Sequence, residues 1–253
     1  GDLAGFAAAT IFRGVNWVNL PTSLLAMVDA AIGGKTGVDL PQGKNLVGSF
    51  HAPRFVGIDP GVLSTLPDKE RRNGMAEVIK HGMIADPALW QLAARGPTVF
   101  PNHVDELICR AVAVKANIVR EDPYEKHIRQ TLNFGHTIGH AVERISDFQL
   151  SHGEAVAVGM VAETYLAELL GLTVSGLAGK LIKVLNRWEL PTKIPMTIEN
   201  EEILNVIDYD KKKSNGKVRF ALPLEIGEVK VGVTAEANDL RAALDYGKRG
   251  KND

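Results

Sequence analysis

From residue 68 onward, apolar residues recur at three- and four-residue steps through the segments 68–84, 87–94, 103–120, 128–145, 152–170 and 177–188. That period is the mark of amphipathic helices turning one face to a core, so the greater part of the chain is expected to be a packed helical assembly. Residues 1–59 follow another grammar: an Ala-rich helix, a β-branched run at 15–20, a helix from Thr22, and a second strand at 54–59. Such alternation predicts an α/β layer. Pro21-Thr22-Ser23 stops the first strand and caps the helix after it. The stretch 33–53, rich in Gly, Lys, Asn and Pro and without a period, reads as a functional loop region with short extended pieces near 36–40. Near the other end, 218–222 and 228–233 flank Ile226-Gly227 as a β-hairpin, and a helix is expected over 235–246. The chain is thus expected to divide into an α/β unit over 1–66 and a mostly helical unit over 67–253.

Charge and cysteine content narrow the function classes. Lys and Arg number 29 against 30 for Asp and Glu, so no excess charge points to nucleic acid or to a membrane surface. With 45% hydrophobic and 23% charged residues the composition is that of a globular protein. Cys109 is the one cysteine, which excludes an intramolecular disulfide and fits a reducing compartment; the cytoplasm is the expected location. No apolar run reaches the length of a membrane span, and the opening residues lack the basic region of a signal peptide. They also lack an initiator Met and enter a helix at once, so the chain is read as missing its true amino-terminal segment.

The densest chemical signal is Asn133-Phe134-Gly135-His136-Thr137-Ile138-Gly139-His140, followed by Ser151-His152-Gly153-Glu154. His136 and His140 stand four apart, share a helix face and are the first pair that spacing offers as metal ligands. Taken singly, each histidine is better read as a helix cap or a half-buried ring. Three together, with glycines that allow close approach, bring a metal site level with that reading. Glu77 is the candidate carboxylate, because an unpaired acid in the apolar segment Gly74-Met75-Ala76-Glu77-Val78-Ile79-Lys80 would be costly; the competing reading is an ion pair with Lys80. Arg13, Lys35, Lys44, Lys80, Lys115, Arg129, Lys211 and Lys212 form a scattered cationic set suited to phosphate and carboxylate if they converge. Gly33-Gly34-Lys35-Thr36 resembles the end of a phosphate loop, but Asp29 occupies the position of that motif's first glycine and the segment does not follow a strand. The G-x-G-x-x-G dinucleotide fingerprint is absent.

Taken together, these segments resemble the 3-dehydroquinate synthase family over nearly the whole chain. The resemblance is carried by Gly1-Asp2-Leu3 with Gly5-Phe6, Leu20-Pro21-Thr22-Ser23-Leu24-Leu25-Ala26-Met27-Val28-Asp29, Gly33-Gly34-Lys35-Thr36-Gly37-Val38 and Gly43-Lys44-Asn45. It continues through Ala76-Glu77-Val78-Ile79-Lys80, Leu132-Asn133-Phe134-Gly135-His136, His140-Ala141, His152-Gly153-Glu154-Ala155-Val156 and Asp210-Lys211-Lys212. It implies a partial, Rossmann-like α/β domain that binds NAD, followed by a mainly α-helical domain that holds a metal, with the active site between them. Gly1-Asp2 is similar to the end of the family's glycine-rich nucleotide loop.

By the same resemblance the metal ligands are Glu77, His136 and His152, a set suited to zinc or cobalt, and His140 moves from ligand to substrate contact. Asp2, Thr22, Ser23, Lys35, Lys44 and the turn Val62, Leu63, Ser64 and Thr65 are expected along NAD. Asp29, Lys35, Asn45, Lys80, Lys115, Arg129, Asn133, His140, Lys211 and Lys212 are expected around the substrate, with Lys80, Asn133 and His140 as catalytic residues. Arg13 is expected to reach a substrate held by a neighbouring subunit, which implies a homodimer. The implied reaction takes 3-deoxy-D-arabino-heptulosonate 7-phosphate to 3-dehydroquinate and phosphate by transient oxidation with NAD, β-elimination, re-reduction and intramolecular aldol closure. The alternatives are another sugar phosphate cyclase, a metal-dependent alcohol or glycerol dehydrogenase of similar two-domain plan, and a binding-only chain without turnover.

Overall fold

The computed structural model describes residues 1–40, 43–147, 149–213 and 218–249, with the backbone alone at 43–45 and 209–213. Helix α1 (Asp2–Thr10) leads into β1 (Val18–Asn19), and β2 (Lys35–Leu40) pairs antiparallel with β3 (Gly43–Phe50). The region expected to be mostly loop is therefore largely a hairpin, because the alternation of Thr36 inward with Lys35 outward suits a pleated ribbon. β4 (Phe55–Val56) lies parallel to β1 with Val18 opposite Phe55. Both strands are shorter than the expected 15–20 and 54–59. Between Ser23 and Gly33 the chain makes a single α turn and then a π turn over Ala26–Ala30; Ser23 Oγ accepts from the Ala26 N–H at 3.2 Å, the cap that Thr22-Ser23 foretold.

Seven helices follow: α2 (Asp68–Ala85), α3 (Pro87–Ala93), α4 (Phe100–Glu121), α5 (His136–Ile145), α6 (His152–Leu169), α7 (Leu177–Arg187) and α8 (Asn200–Lys213). The expected helix over 128–145 is two elements. A 3-10 turn over Ile128–Asn133 ends at Phe134, Gly135 takes a left-handed φ of 79°, and α5 starts afresh at His136. Helix α8 was not anticipated, because its buried residues Ile203 and Ile207 stand in a strongly charged sequence. The hairpin β5 (Phe220–Glu225) and β6 (Glu228–Val233) and the last helix α9 (Ala237–Arg249) lie close to their expected places.

Two apolar clusters hold these helices. One joins Met75, Ile79 and Met83 of α2 to Leu107 of α4, Met160 of α6 and Leu181 and Leu185 of α7. The other joins Ile138 and Val142 of α5 to Ala162 and Leu166 of α6, Leu222 of β5 and Leu244 of α9. Burial of each large side chain contributes roughly 1.5–3 kcal/mol. Helix α6 serves both clusters and is enclosed on nearly every side from Gly153 to Ala167, as α2 is from Asn73 to Ile84. These two are core helices, where the period alone predicted one-sided stripes. Among the described residues no helix is long and apolar enough to cross a membrane.

Candidate active site

The buried middle of α2 meets the first turns of α5 and α6, and that meeting point brings together Glu77, His136 and His152. Glu77 is fully enclosed, and its Oε1 lies 3.6 Å from His136 Nε2 and 3.3 Å from His152 Nε2. Tetrahedral zinc with bonds near 2.0–2.1 Å places its ligand atoms about 3.4 Å apart. All three ligand atoms lie within 4.8 Å of one another. Neither buried oxygen of Glu77 has a hydrogen bond of good geometry, although Lys80 Nζ closes as an ion pair on Oε2. An enclosed carboxylate with an oxygen left over, facing two imidazole nitrogens, fits a divalent cation. The ion-pair reading of Glu77 is realised on Oε2, and Oε1 is the oxygen that faces the two imidazoles.

The second ring nitrogens are also engaged. His136 Nδ1 is 3.1 Å from the Phe134 carbonyl, and the tautomer that donates there leaves the Nε2 lone pair facing Glu77. His152 Nδ1 is 3.8 Å from Glu143 Oε2. Burial, with Lys80 adding to it, holds His136 well below the usual imidazole range. Burial also opposes protonation of His152, but Glu143 and Glu77 outweigh it and push that ring up to about 9. His140 stands one turn beyond His136, its ring centroid 4.9 Å away, at the rim of the cluster. The pair first suggested by spacing, His136 with His140, is therefore not the pair that shares Glu77.

A cleft of about 670 Å³ opens above these rings, between the hairpin β2/β3 and the helices. Asp2, Asp29, Lys35, Lys80 and Lys115 line it, as do Arg129, Asn133, His136, His140 and His152. Of the cationic set, Lys35, Lys80, Lys115 and Arg129 converge here, and the three lysines arrive matched. Lys35 pairs with Glu125, Lys80 with Glu77, and Lys115 Nζ donates to Asp29 Oδ1 at 2.5 Å. Burial would raise the Asp29 carboxyl; Lys115 reverses that and holds it at about 2. Arg129 is almost wholly buried and donates from Nη1 to the Pro123 carbonyl at 2.6 Å and from Nη2 to the Gly33 carbonyl at 3.2 Å. Gly33, at φ 110°, is required there: a Cβ would come within 2.5 Å of Arg129 Nη2. The Gly33-Gly34-Lys35 motif thus makes room for an arginine and starts a strand.

Other expected residues lie elsewhere. Thr22, Ser23, Val62, Leu63, Ser64 and Thr65 do not line this cleft; Leu63 belongs to the first apolar cluster, and the Thr65 hydroxyl donates to the Val62 carbonyl. Arg13 is exposed on a turn with φ values of 50° at Phe12, 65° at Arg13 and 118° at Gly14. The side chains of Lys44, Asn45, Lys211 and Lys212 lie outside the described residues.

Sequence reasoning missed several site residues. Glu125, at φ 59°, accepts from Asn133 Nδ2 at 2.8 Å while pairing with Lys35. Asp122 organises the same loop by accepting from the N–H groups of Lys126, His127 and Arg129. His81 is fully buried one turn beyond Glu77, its ring nitrogens lack hydrogen bonds, and burial holds it at about 3. Glu143 could have been found, since it stands three residues after His140 on the same helix face.

The chain matches the family model for the 3-dehydroquinate synthase N-terminal region over residues 1–73 and the model for the C-terminal region over 74–213. It is 47% identical over 251 residues to a 3-dehydroquinate synthase of Nostoc sp. (strain PCC 7120), spanning 96% of this chain and 69% of that protein. In structure it is similar to a 2-epi-5-epi-valiolone synthase from Streptomyces hygroscopicus with bound NAD+ and Zn2+, at a TM-score of 0.88 and 30% identity over 95% of this chain and 68% of that one. A 2-deoxy-scyllo-inosose synthase complexed with carbaglucose-6-phosphate, NAD+ and Co2+ gives a TM-score of 0.87 and 27% identity, over 98% and 71% of the two chains. With both family models matched in order and nearly half of the residues shared with a relative of that name, the chain belongs to the 3-dehydroquinate synthase family.

Proposed function

We propose that the cleft converts 3-deoxy-D-arabino-heptulosonate 7-phosphate to 3-dehydroquinate and phosphate, with Glu77, His136 and His152 holding a zinc or cobalt ion. The observation that carries this reading is the enclosed Glu77 oxygen facing two imidazole nitrogens at metal-ligand spacing, at the floor of a cleft lined by Lys35, Lys80, Lys115 and Arg129. When bound, the metal supplies Lewis acidity toward a substrate oxygen, and NAD supplies reversible hydride acceptance.

The protein's own part is to place anionic groups and move protons. Arg129 offers a planar guanidinium to the substrate carboxylate, from a position fixed by the Gly33 and Pro123 carbonyls. Lys35 and Lys115 exchange carboxylate partners, Glu125 and Asp29, for substrate oxygens, so neither ammonium is left bare in the free enzyme. Lys80, Asn133 and His140 stand at the cleft wall as the proton-handling groups. Asn45, Lys211 and Lys212 are assigned to the substrate and Asp2, Thr22, Ser23, Lys35, Lys44 and Val62, Leu63, Ser64 and Thr65 to NAD, on family resemblance. On the same basis Arg13 reaches the site of a second copy in a homodimer, which its exposed turn permits. A cytoplasmic location completes the reading.

The test is phosphate release from the heptulosonate phosphate by this chain with zinc and NAD, with 3-dehydroquinate followed in parallel. Both products are expected in equal amounts, with no net NADH. Folded, zinc-loaded protein that makes neither product would refute turnover by this chain. Faster turnover of a sugar phosphate lacking the carboxylate would reassign it to another cyclase of the kind its structural neighbours represent.

A further inference from the structure

Glu163 stands in the enclosed part of α6, fully buried, and its hydrogen-bond partners are backbone. Oε2 accepts from the Gly135 N–H at 2.6 Å and Oε1 from the Ile138 N–H at 3.0 Å, with the Thr137 N–H also acting on it. These are N–H groups at the start of α5, where a helix has no acceptors of its own, and Gly135 at the cap position has no side chain to provide one. The carboxyl group of a neighbouring helix does the capping instead; burial pushes it up to about 8, against the pull of these N–H donors.

The contact reaches further than a cap. The Gly135 N–H and the Phe134 carbonyl belong to one planar peptide group, so fixing one fixes the other. That carbonyl is the partner of His136 Nδ1. We propose that Glu163 is a positioning residue for His136: by holding the 134–135 peptide it orients the ring, selects the Nδ1-protonated tautomer and aims Nε2 at the shared metal position beside Glu77. One rigid helix would then carry His152 at its first position and the clamp for His136 three turns later. The proposal rests on the reading of His136 as a ligand.

The experiment compares zinc affinity, by chelator competition, for the wild-type chain and for Glu163→Gln, Glu163→Ala and His136→Ala, with ring-nitrogen NMR of His136 as a second readout. Partners of this kind typically contribute 10- to 100-fold to metal affinity. Glu163→Ala should approach the upper end and lose the single-tautomer signature. Glu163→Gln keeps one acceptor but turns an amide N–H toward a backbone N–H, so about a tenfold loss is expected. Leu181→Ala, which opens a cavity in the first apolar cluster, should lower stability while leaving zinc affinity and the His136 signature alone. Wild-type affinity and tautomer in Glu163→Ala would overturn the proposal; if that variant does not fold, the same result in Glu163→Gln overturns it. Wild-type protein that binds no zinc, or His136→Ala that binds it fully, overturns the ligand reading and takes this proposal with it.

Discussion

His152 sits between two carboxylates, Glu77 on its Nε2 side and Glu143 on its Nδ1 side, and this placement sets how the cluster answers pH. Its ring, held at about 9 in the metal-free protein, must lose a proton to act as a ligand. Zinc uptake near neutral pH should therefore release about one proton from this residue, and zinc affinity should rise up to about tenfold per pH unit until about pH 9. The sign for stability is opposite. A histidine raised from 6.5 to about 9 adds stability to the metal-free fold that is complete below 6.5 and lost as pH climbs through 9. Calorimetry in buffers of different ionisation enthalpy measures the protons directly; zinc binding with no proton release at neutral pH would remove the basis of this account. Much of the cluster was legible because histidines concentrated in one stretch and an acid in an apolar segment are each costly without a purpose. Glu125 and Glu163 were not, since a positive φ and a cap supplied from another helix leave no trace in local spacing.

Helices α5 and α6 meet closely enough that side chains are excluded from the contact. A Cβ at Gly159 would lie 2.0 Å from the Gly135 carbonyl oxygen and 2.7 Å from the Gly139 nitrogen. Gly159→Ala must push the two helices apart at the level where His136 begins. A loss of about 1–3 kcal/mol is expected from the overpacking, together with weaker zinc binding as the His136 to Glu77 distance grows. Thermal denaturation with and without zinc tests both parts; an alanine variant as stable as wild type would mean the helices are less tightly joined than the structure places them. The break before α5 was hidden for a related reason. Apolar residues continue in step from Ile128 through Leu132 to Ile138 and Val142, so periodicity carries on across Phe134-Gly135 although the backbone does not. In α2 and α6 the period also understated burial, because small residues such as Gly153, Ala157 and Ala162 let a helix be surrounded without long apolar side chains.

At the scale of the molecule, the three proposed ligands come from α2, which packs in the first apolar cluster, α5, which packs in the second, and α6, which joins both. A metal held there is linked to the global unfolding of the helical part and not to a local loop. Binding at about one hundred times the dissociation constant stabilises a fold by about 2.7 kcal/mol. In a chain of this size each kcal/mol moves the melting temperature by roughly 2–4 °C. Zinc at that excess should therefore raise the melting temperature by about 5–10 °C as one cooperative transition. His136→Ala should remove the shift while leaving the metal-free transition near that of the wild type. The N-terminal part makes the contrast, since Leu3, Phe12, Leu20 and Phe55 stand largely exposed there, and its short parallel pair of strands shares no ligand with the cluster. A zinc effect confined to a minor early transition would place the site outside the cooperative helical core. A single shifted transition would tie the fold's stability to the same carboxylate and imidazoles that the proposed chemistry uses.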